Sequence, residues 1–86
     1  MNLGRIGGEY MVINLDSLPW NQRLKILRIY KDWSQEETAV KCNTTQKVYW
    51  SWEIAQRYPR RNSRVAIAKA FGVLEEEIFN ADKAVT

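Results

Sequence analysis

Gln46 and Lys47 stand side by side, and Arg57, Arg60, Arg61 and Asn62 follow a short way along the chain. A glutamine amide offers a donor and an acceptor in one plane, a lysine three donors, and an arginine five donors in a fixed fork. Such groups read hydrogen-bonding edges and hold phosphates; they do not by themselves break bonds. Bond-breaking groups are scarce. There is no histidine, the commonest general base, and a single cysteine, Cys42, so neither an internal disulfide nor a Cys/His zinc cluster can form. The remaining carboxylates, lysines and hydroxyls fall into no motif that pairs a nucleophile with a base. The expectation is a binding protein and not an enzyme, without metal or cofactor. Cys42 is expected as a small core residue in a reducing, cytoplasmic setting.

Eighty-six residues, 45% of them hydrophobic, can build one modest core and so one domain. Thirteen Lys and Arg against ten Asp and Glu leave a net charge of +3, which suits a polyanionic partner. No apolar run approaches the ~20 residues of a membrane span, and the N-terminus lacks the charged-then-apolar order of a secretory signal. The chain therefore reads as soluble and unexported.

Residues 1 to 15 hold three of the four glycines and show no helical period, so they read as a flexible arm or short strand outside the core. A competing reading is that Gly7-Gly8-Glu9 is encoded by a purine-rich ribosome-binding sequence and that the natural start is Met11. Asp16 or Ser17 can cap a first helix with Pro19 in its first turn. Leu24, Leu27 and Tyr30 or Lys31 then share one side, with Trp20 a turn earlier. This helix ends near Lys31, where Asp32 can take a left-handed conformation. Ser34-Gln35-Glu36-Glu37 has the form of a capping box opening a second helix. Ala39 and Cys42 continue inward from it, and Asn43 suits a left-handed turn. Thr44 or Thr45 can cap a third helix from about Gln46 to Glu53, with Tyr49 and Trp52 inward and Gln46, Lys47, Trp50 and Ser51 outward.

The stretch from Ile54 to Asn62, around Pro59, reads as a polar connection. Asn62 or Ser63 starts a fourth helix, which buries Val65, Ile67, Ala68 and Phe71 and stops at Gly72. Glu75, Glu76 and Glu77 favour the N-terminus of a short fifth helix anchored by Ile78 and Phe79. Residues 81 to 86 are expected to fray. The domain spans residues 16 to 80, and its class is all-α with five helices.

The stretch WSQEETAVKCNTTQKVYWSWE resembles the helix-turn-helix of the Cro and CI repressor family, the lambda-repressor-like or XRE type. The matching residues are Ser34-Gln35, Ala39, Asn43 and Trp52-Glu53. Further on, Pro59 and the IAKAFGV run from Ile67 to Val73 keep the family's register. The resemblance implies a DNA-binding domain whose third helix reads bases with Gln46, Lys47 and Ser51. Phosphate contacts are implied at Gln35, Thr45, Arg57, Arg60, Arg61 and Asn62. It also implies a structural ion pair between Arg28 and Glu53. Departures from the family pattern are Thr38, Tyr49, Asn43, Ala55, Arg61 and Arg64. Trp50 is the least usual residue; its ring can contact a base, cover the loop or meet a partner protein.

These residues lead to the expectation of a bacterial or phage-encoded transcriptional regulator, of repressor type, bound as a homodimer to a double-stranded DNA operator in the cytoplasm. The competing expectation is an antitoxin or anti-repressor that uses the same fold to hold a protein partner. In that case Trp50 and Glu75 to Glu77 are the candidate contacts.

Overall fold

The computed structural model of the chain describes residues 2–6, 9–12 and 15–79. Five α-helices follow one another: α1 (Trp20–Tyr30), α2 (Gln35–Lys41), α3 (Gln46–Glu53), α4 (Arg61–Phe71) and α5 (Glu75–Phe79). The all-α body is as the sequence pattern predicts. Ahead of it, strands β1 (Asn2–Ile6) and β2 (Glu9–Val12) pair antiparallel, with Arg5 opposite Tyr10 and Ile6 opposite Glu9. Where the sequence suggested an arm or a single short strand, the backbone forms a two-stranded ribbon. The expectation for residues 81 to 86 lies outside the described residues.

The first four helices stop in the same way. Asp32, Asn43 and Ala55 have φ of 59°, 59° and 58°, and Gly72 has φ of 70°. At each stop, an N–H just beyond the left-handed residue reaches back to the last turn. Trp33 donates to Arg28 O (3.2 Å), Thr44 to Ala39 O (2.9 Å), Gln56 to Ser51 O (2.8 Å) and Val73 to Ala68 O (3.1 Å). This six-to-one bond satisfies carbonyls that a helix end otherwise leaves open, and it turns the chain sharply. Asp, Asn and Gly tolerate the left-handed region; Ala55 has no local hydrogen bond to offset its Cβ clash.

The helix starts differ more from expectation. Asp16 and Ser17 do not cap α1. They belong to a 3-10 turn, Leu15–Ser17, closed by Leu18 N–H to Leu15 O at 3.0 Å. Pro19 then forces an extended approach and itself occupies the cap position, without a side-chain cap bond. Leu15, assigned by sequence to the arm, lies in the core at 4% exposure. The capping box of α2 is present in full: Glu37 N–H donates to Ser34 Oγ (3.0 Å) and Ser34 N–H to Glu37 Oε1 (2.9 Å). The bond from the Ser34 N–H also holds the Glu37 carboxyl below its ordinary pKa. Thr45 Oγ1 accepts from Val48 N–H at 3.3 Å and caps α3. Helix α4 begins at Arg61, because Arg60, extended after Pro59, takes the cap position. Arg61 and Asn62 therefore ride on its first turn instead of lying in the connection, and Val65 faces solvent.

Leu24 and Leu27 of α1, Ala39 and Cys42 at α2, Tyr49 and Trp52 of α3, Ile67 and Phe71 of α4, and Ile78 and Phe79 of α5 make one core with Leu15. Ala39 is 1% exposed where α2 meets α3, and its small side chain lets the two helices approach. Burial pushes the Cys42 thiol up to about 11, so it stays protonated as a packing residue. Thr38 is also buried, and its hydroxyl donates to Ser34 O at 2.8 Å. Among the described residues no helix is long and apolar enough to cross a membrane.

Ala55 supplies a direct check on the shared helix stop. Ala55→Gly should raise stability by roughly 1 kcal/mol, read as a higher denaturant midpoint at unchanged slope. A decrease would show that Ala55 is not left-handed in solution.

Candidate nucleic-acid interface

Helix α3 is positioned from beneath by a buried ion pair. Glu53, with its side chain 4% exposed, accepts from Arg28 Nε at 2.6 Å, and the Arg28 side chain is 15% exposed. Arg28 Nη2 reaches the other Glu53 oxygen at 3.3 Å, and Gln35 Nε2 donates to the same oxygen at 3.2 Å. Arg28 Nη1 also donates to Trp33 O (3.0 Å), and Asn21 Nδ2 to Glu53 O (2.9 Å). One carboxylate thereby ties α1, the start of α2 and the end of α3. It also raises the Arg28 pKa further, through its hydrogen bond and its charge. The neighbouring Tyr49 phenol is pushed up by burial and by Glu53, and its hydroxyl has no hydrogen-bond partner among the described residues.

With Tyr49, Trp52 and Glu53 inward, the opposite edge of α3 presents Gln46, Lys47 and Trp50 to solvent. Trp50 keeps 45% of its surface exposed and, with Lys47, Val48, Ser51, Gln56 and Arg57, lines a pocket where α3 meets the following loop. Ser51 departs from expectation. It is 4% exposed, its hydroxyl donates to Val48 O at 2.6 Å, and its carbonyl receives Gln56 and Arg57 N–H. The left-handed turn at Ala55 folds the loop back over this part of α3, and Ser51 is left at the bottom of the pocket beside Lys47 and Trp50. Gln35 is likewise drawn inward, its amide committed to Glu53.

The loop after α3 is held firmly. The Tyr58 ring packs edge-on to Trp20 (5.1 Å between centroids) and Phe79 (5.8 Å), and Pro59 beside it is fully buried. Arg64 donates to Pro59 O (2.9 Å) and pairs with Glu75 (3.2 Å), and its guanidinium lies 5.4 Å from the Tyr58 ring. On this anchored platform Arg57, Arg60, Arg61 and Asn62 are exposed, as is Thr45 at the start of α3. The first turn of α4 contains no acidic residue, and Arg60 makes no side-chain cap bond. Cations beside the positive end of a helix dipole are unfavourable unless an anion comes to them.

Helix α2, the Asn43 turn and α3 form a helix-turn-helix. The chain is similar to the HTH-type transcriptional activator BcrR of Enterococcus faecalis, 28% identical over 69 residues that make up 80% of this chain and 34% of that protein. It thus spans about a third of that relative's length. No family model matches the chain, and no solved structure does.

Two structural residues escape a reading by pattern. Arg23 is 4% exposed, with Nε donating to Leu18 O at 2.8 Å and Nη1 to Glu77 O at 3.2 Å, and so ties α1 to the last turn of α5. Arg64 does the same for the loop. Their signal is a cation falling on the apolar face of a helix, which spacing alone marks as a fault instead of a tie.

Removing either member of the Arg28–Glu53 pair strands the other. Arg28→Ala and Glu53→Ala should each cost about 3 kcal/mol in chemical unfolding, and the double variant should cost clearly less than the sum. Strict additivity would show that the two charges are not coupled.

Proposed function

We propose that the chain binds double-stranded DNA in a sequence-specific manner through α3 and regulates transcription by occupying an operator. The observation that carries this reading is the exposed outer edge of α3, where Gln46, Lys47 and Trp50 face solvent between Thr45 and an arginine-bearing loop. An α-helix with its side chains is about 10–12 Å across, close to the ~12 Å width of the major groove. Gln46 is suited to the paired donor and acceptor of adenine, and Lys47 to the two acceptors of guanine. Trp50, one turn further on, offers an apolar face to a thymine methyl group. Arg57, Arg60, Arg61, Asn62 and Thr45 serve the phosphates on either side. Gln35 joins them only by leaving Glu53, and Ser51, its hydroxyl bonded to Val48 O, is a weaker candidate than Gln46 and Lys47.

The likeness to a protein named as a transcriptional activator supports regulation of transcription. We place the chain with the Cro and CI type, as a bacterial or phage-encoded regulator acting in the cytoplasm. A homodimer would read two half-sites about one helical turn, roughly 10 base pairs, apart. Bound over a promoter it represses.

Selection of bound duplexes from a random pool tests the reading. A recurring motif with inverted half-sites is the expected result, and a pool that never enriches at low salt defeats the proposal. Within the selected site, Lys47→Ala should relax preference at one base position by about 1–3 kcal/mol. Arg60→Ala should instead weaken all sequences alike. Replacing thymine by deoxyuridine removes only the methyl group. The wild type should lose affinity at the position under the ring, and Trp50→Ala should be indifferent to the swap. Equal sensitivity in both proteins would take Trp50 out of base reading and favour a protein-facing role.

A further inference from the structure

An open groove runs between the C-terminal end of α2, its turn and the outer face of α4. It is lined by Lys41, Asn43, Asn62 and Lys69 over a floor that includes Ala66 and Ala70. No carboxylate lines it. Lys41 is held in place: its ammonium lies 4.7 Å from the centroid of the Trp33 ring, which stacks on Phe71 at 5.5 Å. Lys31 approaches the same ring at 5.8 Å, adding a second positive charge nearby. Glu37, one turn before Lys41, has its carboxylate engaged with the Ser34 N–H. The groove thus gathers cations and amide donors above short side chains that let a polymer backbone come close.

It is also continuous with the interface described above. Asn43 leads through Thr45 into the start of α3, and Asn62 follows Arg60 and Arg61 on the first turn of α4. We propose that this groove is a second DNA-backbone track. In it Lys41 and Lys69 neutralise phosphodiesters beyond the base-reading edge, and Asn43 and Asn62 donate hydrogen bonds to phosphate oxygens. The proposal rests on the DNA-binding reading and adds Lys41, Asn43 and Lys69 to its contacts. It lengthens the footprint along the backbone without adding sequence choice.

The test is the salt dependence of binding to a mixed-sequence duplex, which reports phosphates neutralised whatever the bases. Lys41→Gln and Lys69→Gln should each lower the slope of log K against log salt by about 0.9, and together by about 1.8. Lys41→Arg and Lys69→Arg should retain the wild-type slope. Lys25→Gln, exposed on α1 outside the groove, removes the same charge and should leave the slope unchanged. Arg60→Gln, a loop contact, should lower it by about 0.9 and so verifies that the assay responds. If Arg60→Gln responds and the groove variants keep the wild-type slope, the groove proposal is overturned while DNA binding stands, and an acidic protein becomes the groove's candidate partner. If wild-type protein binds no duplex, DNA binding and the groove fall together.

Discussion

The orientation of α3 depends on one buried carboxylate. Glu53 sits at the end of that helix, is almost wholly removed from water, and receives donors from Arg28 and Gln35. A charge in that position is costly to desolvate and is retained because its partners leave few of its lone pairs open. What the arrangement provides is geometry more than raw stability. The guanidinium is a rigid fork, so α1 and α3 meet at a set distance and angle. With α3 gripped from its inner side, its outer edge needs no packing of its own and stays available.

Much of the helical frame is legible because its signals are local. The capping box at Ser34 and Glu37, the Thr45 cap and the left-handed positions at Asp32, Asn43 and Gly72 are decided within a few residues of chain. The bounds of α3 follow directly from them. What could not be read depends on segments meeting in space. Ser51 looks outward on a helical wheel and is covered only because the chain reverses at Ala55. Gln35 looks like a free donor until Glu53 stands beside it. Arg23 and Leu15 make sense once α5 and the 3-10 turn are in place. At Pro59 two local rules compete: a polar run argues for loop, while the proline sets up the extended cap from which α4 starts early.

Some exposed residues break the rules of a stable small domain. Arginines beside the positive end of α4 and an exposed tryptophan on α3 each lower the stability of the isolated chain. The opposite pattern holds in the interior. There each buried cation has carbonyl or carboxylate acceptors, and Thr38 bonds to its own helix.

The wedge of Tyr58 between Trp20 and Phe79 has a kinetic meaning. On the proposed DNA-binding reading, a loop already seated on aromatic rings has less configurational freedom to surrender when its arginines meet a charged polymer. Complex formation then needs no prior rearrangement of that segment, and its speed is governed by how strongly opposite fields draw the two molecules into contact.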